Sequence, residues 1–166
     1  MKRWIGFLAR LVVGAVWLAA GYEKFSDPAG TVRAVRAFQL LPESVVPTFG
    51  HLLPVAEIVM GVCLLVGVLT RVSAVVSATL LFAFIVGISL AWARGLEIQC
   101  GCFGGGGYTE NAAAGYVRDI IRDLGLVLAS AWLVWLPRTP LAVDNVLFPT
   151  TERLTDGEEG LEPVED

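Results

Sequence analysis

The chain has few of the side chains on which most enzymes depend. Its 166 residues include one histidine and three cysteines, and only 17% of them are charged. So few imidazoles and thiols leave little material for a hydrolase site or a many-ligand metal centre, and they exclude a disulfide-dense secreted miniprotein. The net charge of -4 and the pI near 5.0 argue against a nucleic-acid binder, which needs a basic surface. Any chemistry must therefore rest on very few residues.

Hydrophobic residues, by contrast, make up 55% of the chain, and the mean hydropathy of +0.68 is too high for a soluble domain. A bilayer core of about 30 Å requires about 20 mostly apolar residues in a helix. Runs of this kind occupy about residues 4–22, 50–69, 72–93 and 117–136. The length of the first run, and Arg10 within it, favour a membrane span over a cleaved signal peptide. The sequence therefore predicts an all-α, polytopic protein of the cell membrane, a four-transmembrane-helix bundle in the lipid bilayer.

The connection between the first two spans has the pattern of an amphipathic helix. Ser26 or Asp27 can cap a helix that opens with Pro28 and stops before Pro42. Its apolar and polar residues recur at helical spacing on different faces, which predicts a helix on the membrane surface; an ordinary ordered loop is the alternative. The two faces comprise Val32, Val35, Phe38 and Leu41 on the apolar side, and Arg33, Arg36 and Gln39 on the polar side.

The charge composition divides the chain into two parts. Residues 1–137 carry ten basic and eight acidic residues, whereas residues 138–166 carry two basic and eight acidic ones. We therefore expect a transmembrane domain over 1–137 and a flexible, acidic cytoplasmic tail over 138–166. Four spans put both termini on one side, and Lys2 and Arg3 before the first span favour the cytoplasm. The two long connections then share the extracytoplasmic side, namely residues 23–49 and 94–116.

The most specific motif is Cys100-Gly101-Cys102-Phe103, followed by further glycines, between the third and fourth spans. Two cysteines one residue apart can close a small ring if the residue between them adopts unusual dihedrals, as glycine can. Such a ring is strained, and strain raises the reduction potential, so the bond exchanges readily with an incoming thiol. Cys100 and Cys102 are therefore the candidate redox pair of a membrane thiol-disulfide oxidoreductase.

Three other interpretations of the two cysteines remain open. They could form an inert disulfide, be two unpaired thiols, or supply half of a metal site shared between two copies. A closed metal site needs about four ligands, and the chain offers only Cys63, expected inside the second span, and His51 in addition. We therefore predict no resident metal.

Ionisable residues near the predicted spans are the second set of candidates, because charge at membrane depth is costly and usually paired or functional. Glu57 is predicted to pair with Arg122 or, at greater depth, with Arg10; alternatively it lies near the start of a helix that begins at Pro54. His51 could shuttle a proton to a leaving thiolate or reach a quinone oxygen, although a lone interfacial histidine is more often solvated or hydrogen-bonded. The charges expected beneath the cysteine loop are Glu23, Lys24, His51, Glu57, Arg94, Glu97, Arg118, Asp119, Arg122 and Asp123.

Several short motifs lie within or next to the predicted spans. They are Arg10-Leu11-x-x-Gly14, Gly21-x-x-Lys24, Glu57-x-x-x-Gly61, Gly67-x-x-Thr70-Arg71 and Cys100-Gly101-Cys102-Phe103-Gly104. With them the chain resembles the MauE branch of the DoxX-like integral membrane proteins over about residues 7–136. The resemblance implies a four-helix protein of thiol redox chemistry, with Cys100 and Cys102 as the redox pair.

The resemblance also implies partners. The two cysteines would exchange electrons with a thioredoxin-like extracytoplasmic protein during disulfide formation in a client, as in the maturation of methylamine dehydrogenase in methylamine metabolism. A quinone held in the bundle is a candidate electron acceptor. The alternative is a non-catalytic membrane scaffold or assembly subunit of a redox complex, in which the cysteines are structural or metal-binding. No nucleic-acid partner is predicted.

Overall fold

The computed structural model describes residues 2–99, 101, 107–108, 112–135 and 143. Cys100 and Cys102 lie outside the described residues, although Gly101 between them is described. The predicted tail, apart from Val143, also lies outside them.

The described residues form five helices and one small hairpin. The helices are α1 (Lys2–Ser26), α2 (Pro28–Ala37), α3 (Val46–Val66), α4 (Thr70–Ala93) and α5 (Ala112–Trp135). The hairpin joins β1 (Ile98–Gln99) to β2 (Gly107–Tyr108), with Ile98 opposite Tyr108 and Gln99 opposite Gly107. The all-α prediction is confirmed for the described residues, apart from this hairpin.

Among the described residues, three helices are long and apolar enough to cross a membrane, namely Trp4–Ser26, Val46–Val66 and Thr70–Ala93. They match the first three predicted spans, although α3 begins four residues before the predicted start at 50. Helix α5 is as long as α4, at 24 residues. It is less apolar because its first half carries four charged residues: Arg118, Asp119, Arg122 and Asp123.

The helices pack as two close pairs. Helix α1 makes its most extensive contacts with α3, and α4 with α5, while α1–α5 and α3–α4 contacts close the bundle. Glycines permit the close α1–α3 approach, since a Cβ added at Gly61 would lie 2.9 Å from the backbone nitrogen of Leu18. Between the pairs, the indole nitrogen of Trp17 donates to Ser77 Oγ at 2.7 Å, and Ser77 Oγ lies 3.1 Å from Ser130 Oγ. Three helices thus share one buried chain of polar side chains.

The turn between α3 and α4 differs from its prediction. Thr70 and Arg71, expected to form the connection, belong to α4. The chain turns instead between Gly67 and Leu69, which have φ values of +76° and +51°. Glycine reaches this left-handed region without steric cost, so Gly67 ends α3 and its amide donates to the Cys63 carbonyl.

Helix α2 begins as predicted and stops before Pro42 as predicted, so Phe38 and Leu41 of the predicted apolar face lie beyond its end. The Asp27 side chain accepts a hydrogen bond from Gly30 N at 2.8 Å, which caps the helix. The helix stops at Ala37, well before Pro42. The predicted valines are only half-buried, because the deepest contacts are made by small residues that let α2 approach α3 closely. The buried positions of this helix are Gly30, Thr31, Ala34 and Ala37.

Helix α2 and the hairpin meet at one end of the bundle, which we call the cysteine end. Helix α2 contacts both strands, and Arg94 at the end of α4 donates to the Phe38 carbonyl at 3.3 Å. A second apolar cluster joins α2, β1, α4 and α5 here. The two long connections, predicted to share one side, therefore do share one end of the bundle. The buried members of this cluster are Ala37, Ile88, Ala91, Ile98, Ala112 and Tyr116.

Candidate functional site

The strand that leads into the cysteine motif is fixed to the bundle by Tyr116. The Tyr116 hydroxyl of α5 donates to the Leu96 carbonyl at 2.6 Å and accepts from Ile98 N at 3.1 Å. Ile98, two residues before Cys100, is 1% exposed. Gly101 has a φ of +67°, a left-handed conformation that glycine adopts without strain. Sequence reasoning missed Tyr116, because nothing in the sequence indicates that its hydroxyl reaches back to β1.

Below the hairpin, Lys24 of α1 and Glu57 of α3 form a buried ion pair. Lys24 Nζ donates to Glu57 Oε1 at 2.5 Å, and the two side chains are 5% and 0% exposed. Helix packing sets this pairing, because Gly21 lies against Ile58 and brings the next turn of α1 opposite Glu57. The Gly21-x-x-Lys24 spacing was the available signal, since residues three apart share a helix face.

The predicted partners of Glu57 are therefore wrong. The ion pair that Glu57 makes is with Lys24, instead of with Arg122 or Arg10. Arg10 lies about 21 Å from Lys24 along α1 at the rise of an α-helix, and its guanidinium lies 5.4 Å from the Phe7 ring centroid. The alternative position near a helix start is also wrong, because α3 begins at Val46 and contains Pro54 internally.

Helix α5 adds a second set of charges. Arg122 donates to Asp119 Oδ1 at 3.0 Å and to Asp123 Oδ1 at 2.8 Å, and Asp123 is 1% exposed. Lys24, Glu57, Arg122 and Asp123 line one cavity of about 20 Å³, large enough for a single water molecule. Glu57 Oε2 and Asp123 Oδ2 are both buried, and neither has a hydrogen-bond partner among the described residues. We call this group the polar cluster: Lys24, Glu57, Asp119, Arg122 and Asp123.

The remaining candidates do not join the polar cluster. His51 is on the exposed side of α3, where its Nδ1 lies 2.6 Å from the Pro47 carbonyl oxygen and donates to it. Cys63 is half-buried on α3 and free. The predicted gathering of charge is thus divided into a buried cluster and an exposed set. The exposed members are Glu23, His51, Arg94, Glu97 and Arg118.

A larger cavity of about 270 Å³ lies between α2 and the bundle. Its described lining is aliphatic and aromatic except for Thr31 and for Lys24, the one charged residue in that part of the lining. Gly101 also lines it, so the cavity extends from the cysteine motif to the polar cluster. The sequence did not indicate this cavity, because its walls come from segments far apart in the chain.

The outer rim of the apolar cavity is formed by the connection between α2 and α3 and by the first turn of α3. Leu40, Leu41 and Phe49 line the cavity and are 46%, 37% and 51% exposed. Arg36 donates two hydrogen bonds through Nε to the Glu43 carboxylate, at 2.9 and 3.0 Å, which ties this connection to α2. The hydrogen bonds from Arg36 hold the pKa of the exposed Glu43 carboxyl below its ordinary value. The cavity therefore opens through an apolar rim next to the Arg36–Glu43 ion pair.

Comparison with known proteins identifies the family. Searches of curated proteins and of solved structures found no match. The family model described as methylamine utilisation protein MauE matches residues 2–136, which include the bundle, the hairpin and the cysteine motif. Since this match covers most of the 166 residues, the chain belongs to the MauE family and is a membrane protein related to methylamine utilisation.

Proposed function

We propose that this protein is a membrane thiol-disulfide redox protein in which Cys100 and Cys102 cycle between dithiol and disulfide. Its partner is a thioredoxin-like extracytoplasmic protein, and the pair serves disulfide formation in a client, as in methylamine dehydrogenase maturation. The observation that carries the proposal is the left-handed backbone of Gly101, with a φ of +67°, directly between the two cysteines. A small ring of two cysteines and one residue requires that residue to leave the usual β and α regions.

The attachment of the hairpin to the bundle supports the same proposal. The two Tyr116 hydrogen bonds and the burial of Ile98 hold the chain on the amino-terminal side of Cys100. The chain beyond Gly101 is rich in glycine, so another protein's backbone can approach it closely. A fixed strand before the cysteines suits exchange with a second protein, because the thiols must meet a partner in a defined geometry.

We further propose that α5 is the fourth membrane span. Its 24 residues extend about 36 Å, enough to cross a hydrocarbon core of about 30 Å. Its charges are not all at the membrane surface, but Asp123 is buried and Arg122 and Asp119 are paired inside the protein. Charged residues within spans are tolerated when they face the bundle and pair with one another. Both termini then lie in the cytoplasm and the cysteine end lies outside.

Thiol trapping in intact cells tests the redox function. Cells are alkylated before and after mild reduction, and Cys100 and Cys102 are followed by mass spectrometry. Redox cycling predicts a reversible Cys100–Cys102 disulfide, and it predicts a trapped mixed disulfide with a second protein when Cys100→Ser or Cys102→Ser is expressed. Cys63→Ser is the matched control, and we expect it to change neither result, since Cys63 is half-buried within α3.

Three outcomes would overturn the proposal. If both cysteines remain permanently reduced, or if they copurify with a metal, the scaffold function replaces redox exchange. A Cys100–Cys102 disulfide that resists mild reduction, together with no mixed disulfide in either serine variant, would make the pair a structural element instead.

A further inference from the structure

The apolar cavity at the cysteine end has the features of a site for a lipophilic oxidant. Its volume of about 270 Å³ is near the lower end of small-molecule sites, which span about 300–1,000 Å³. Its described walls come from α1, α2, α3 and α4 and contain the rings of Phe38, Phe49 and Phe84. Flat aromatic walls suit a planar ring, since stacked rings gain from offset contact.

The route into the cavity is apolar. The rim residues Leu40, Leu41 and Phe49 are between 37% and 51% exposed. Leu40 and Leu41 belong to the connection between α2 and α3, and Phe49 lies in the first turn of the apolar helix α3. A polar metabolite gains nothing from such a rim, whereas a ligand dissolved in the bilayer meets apolar surface along its whole path. The occupant is therefore a lipid-soluble molecule.

Lys24 favours a quinone over an ordinary lipid chain as the ligand of this cavity. Its ammonium carries three donors, and one of them is used by Glu57 Oε1 at 2.5 Å. Thr31, the other polar side chain of the described lining, already donates to the backbone carbonyls of Lys24 and Asp27. An acyl chain has no acceptor for a buried ammonium, but a quinone carbonyl does. A charged hydrogen bond of this kind also favours the hydroquinone anion that forms on reduction.

The cavity also touches the cysteine motif. Gly101 lines its wall, and each cysteine is one peptide bond from Gly101 in the sequence. Lys24 lines this cavity and the small polar cavity beside it, which Glu57 and Asp123 share. Gly101, the residue between the two cysteines in the sequence, and Lys24 of the polar cluster thus both border the same apolar space.

From these observations we infer that the cavity binds the ring of a membrane quinone, which oxidises the Cys100–Cys102 dithiol. Two S–H bonds break and one S–S bond forms, while two electrons and two protons convert the quinone to its hydroquinone. Lys24 holds one quinone oxygen, and the Lys24–Glu57 pair relays a proton to it. The redox step rests on the proposed function of the cysteines, whereas the binding of the quinone does not.

Binding to a protein without the redox pair tests the site by itself. The full-length Cys100→Ser/Cys102→Ser variant is purified in detergent and titrated with a benzoquinone carrying a decyl tail, followed by quenching of tryptophan fluorescence. Gly87 borders the cavity, and a Cβ there would lie 3.7 Å from Leu40, so Gly87→Ala should bind normally. Gly87→Phe places a ring in the cavity, and we expect binding to weaken about tenfold or more because ring and ligand cannot share the space.

Gly125→Phe is the matched control, since a Cβ at Gly125 meets open space on α5. The site is refuted if decyl-benzoquinone binds equally to the Gly87→Phe and Gly125→Phe variants, which indicates partition into the detergent. It is also refuted if a saturated fatty acid competes as well as the quinone, because the cavity is then a lipid site.

Oxidation of the reduced wild-type protein by the same quinone then tests the coupled step. We expect disulfide formation, measured by alkylation, together with stoichiometric loss of quinone absorbance, and a slower reaction in Gly87→Phe but not in Gly125→Phe. Binding without oxidation of the thiols means that the redox function fails while the site stands. Thiols that exchange with a protein partner but show no quinone binding mean that the proposed function stands and this inference is wrong.

Discussion

At the scale of single residues, the Lys24–Glu57 pair is the most deeply buried ion pair among the described residues. Both side chains are almost completely buried and lie 2.5 Å apart. Taking two charges out of water is costly, and their attraction offsets this cost only when the geometry is good. Glu57 Oε2 is buried and has no hydrogen-bond partner among the described residues, which adds to the free-energy cost of burying the pair. Because burial makes such a pair costly and Lys24 borders both cavities, the pair is more easily explained by function than by folding.

A double-mutant cycle on this pair separates the two roles. We expect Lys24→Met to lower the free energy of unfolding by about 3–5 kcal/mol, because it leaves the Glu57 carboxylate buried without a counter-charge. The double variant Lys24→Met/Glu57→Leu should recover most of this loss, since well-packed apolar residues replace a buried pair at little cost. Thermal unfolding of the purified protein in detergent measures both. Additive losses in the double variant would contradict this account of the pair.

At the scale of elements, the described bundle is held by two different kinds of contact. Helices α1 and α3 meet through glycines, where a Cβ at Gly21 would lie 3.1 Å from the Pro54 carbonyl oxygen. The hairpin has no such surface of its own, and a two-residue ladder is too short to be stable alone. It depends on α5 through Tyr116 and on the apolar cluster around Ile98. The strand that leads to Cys100 is therefore positioned by a helix that follows it in sequence.

The Tyr116→Phe variant tests this dependence. Loss of the hydroxyl leaves Ile98 N and the Leu96 carbonyl without their partner, which costs about 1–3 kcal/mol for a buried group. We expect hydrogen exchange at the Ile98 amide to accelerate by roughly 5- to 150-fold, by the conversion of that free energy into an opening constant. Tyr22→Phe is the control, because Tyr22 is 71% exposed. Equal protection of Ile98 in both variants would show that the apolar cluster alone holds the strand.

At the scale of the whole molecule, the described helices present many large apolar side chains on their outer surface. Large hydrophobic side chains stay about half exposed along the helices, which in water would be an aggregation hazard and in lipid is the expected surface. Examples from four helices are Leu8, Val59, Val62, Phe82 and Leu128, at 59%, 54%, 46%, 61% and 65% exposed. The described part of the bundle buries polar groups near the cysteine end, along the Trp17–Ser77–Ser130 chain and at the opposite end, where Arg10 and Thr70 are 1% and 0% exposed. The molecule thus combines an apolar outer surface suited to a bilayer with polar groups that are shielded inside the bundle.

Labelling from each side of the membrane tests the four-span architecture. In a chain that lacks its natural cysteines, Thr151→Cys reports the tail, and a chain that keeps only Cys102 reports the loop. Four spans predict that an impermeant maleimide labels Cys102 in intact cells and labels Thr151→Cys only in inverted vesicles. Labelling of both positions from the same side would mean that α5 does not cross. Labelling of the loop only in inverted vesicles would reverse the proposed orientation.

The sequence alone determined the composition-driven features of this protein. Long apolar runs without polar partners can only be helices in lipid, so the first three spans and the helical fold followed from the residue pattern. Asp27 and Pro28 likewise specified the start of α2 through local capping chemistry. The Cys-Gly-Cys motif pointed to the family that the match over residues 2–136 identifies.

Only the tertiary structure decided which residues meet. Glu57 faces Lys24 because glycines set the depth at which α1 and α3 cross, and that depth cannot be read from either helix separately. Tyr116 reaches the strand before Cys100 because α4 and α5 pack side by side. The cavity between Gly101 and Lys24 exists because α2 folds back over the bundle. Pairing across distant segments depends on packing geometry, whereas helix formation in a membrane depends on local composition, and this difference separates what the sequence predicted from what it could not.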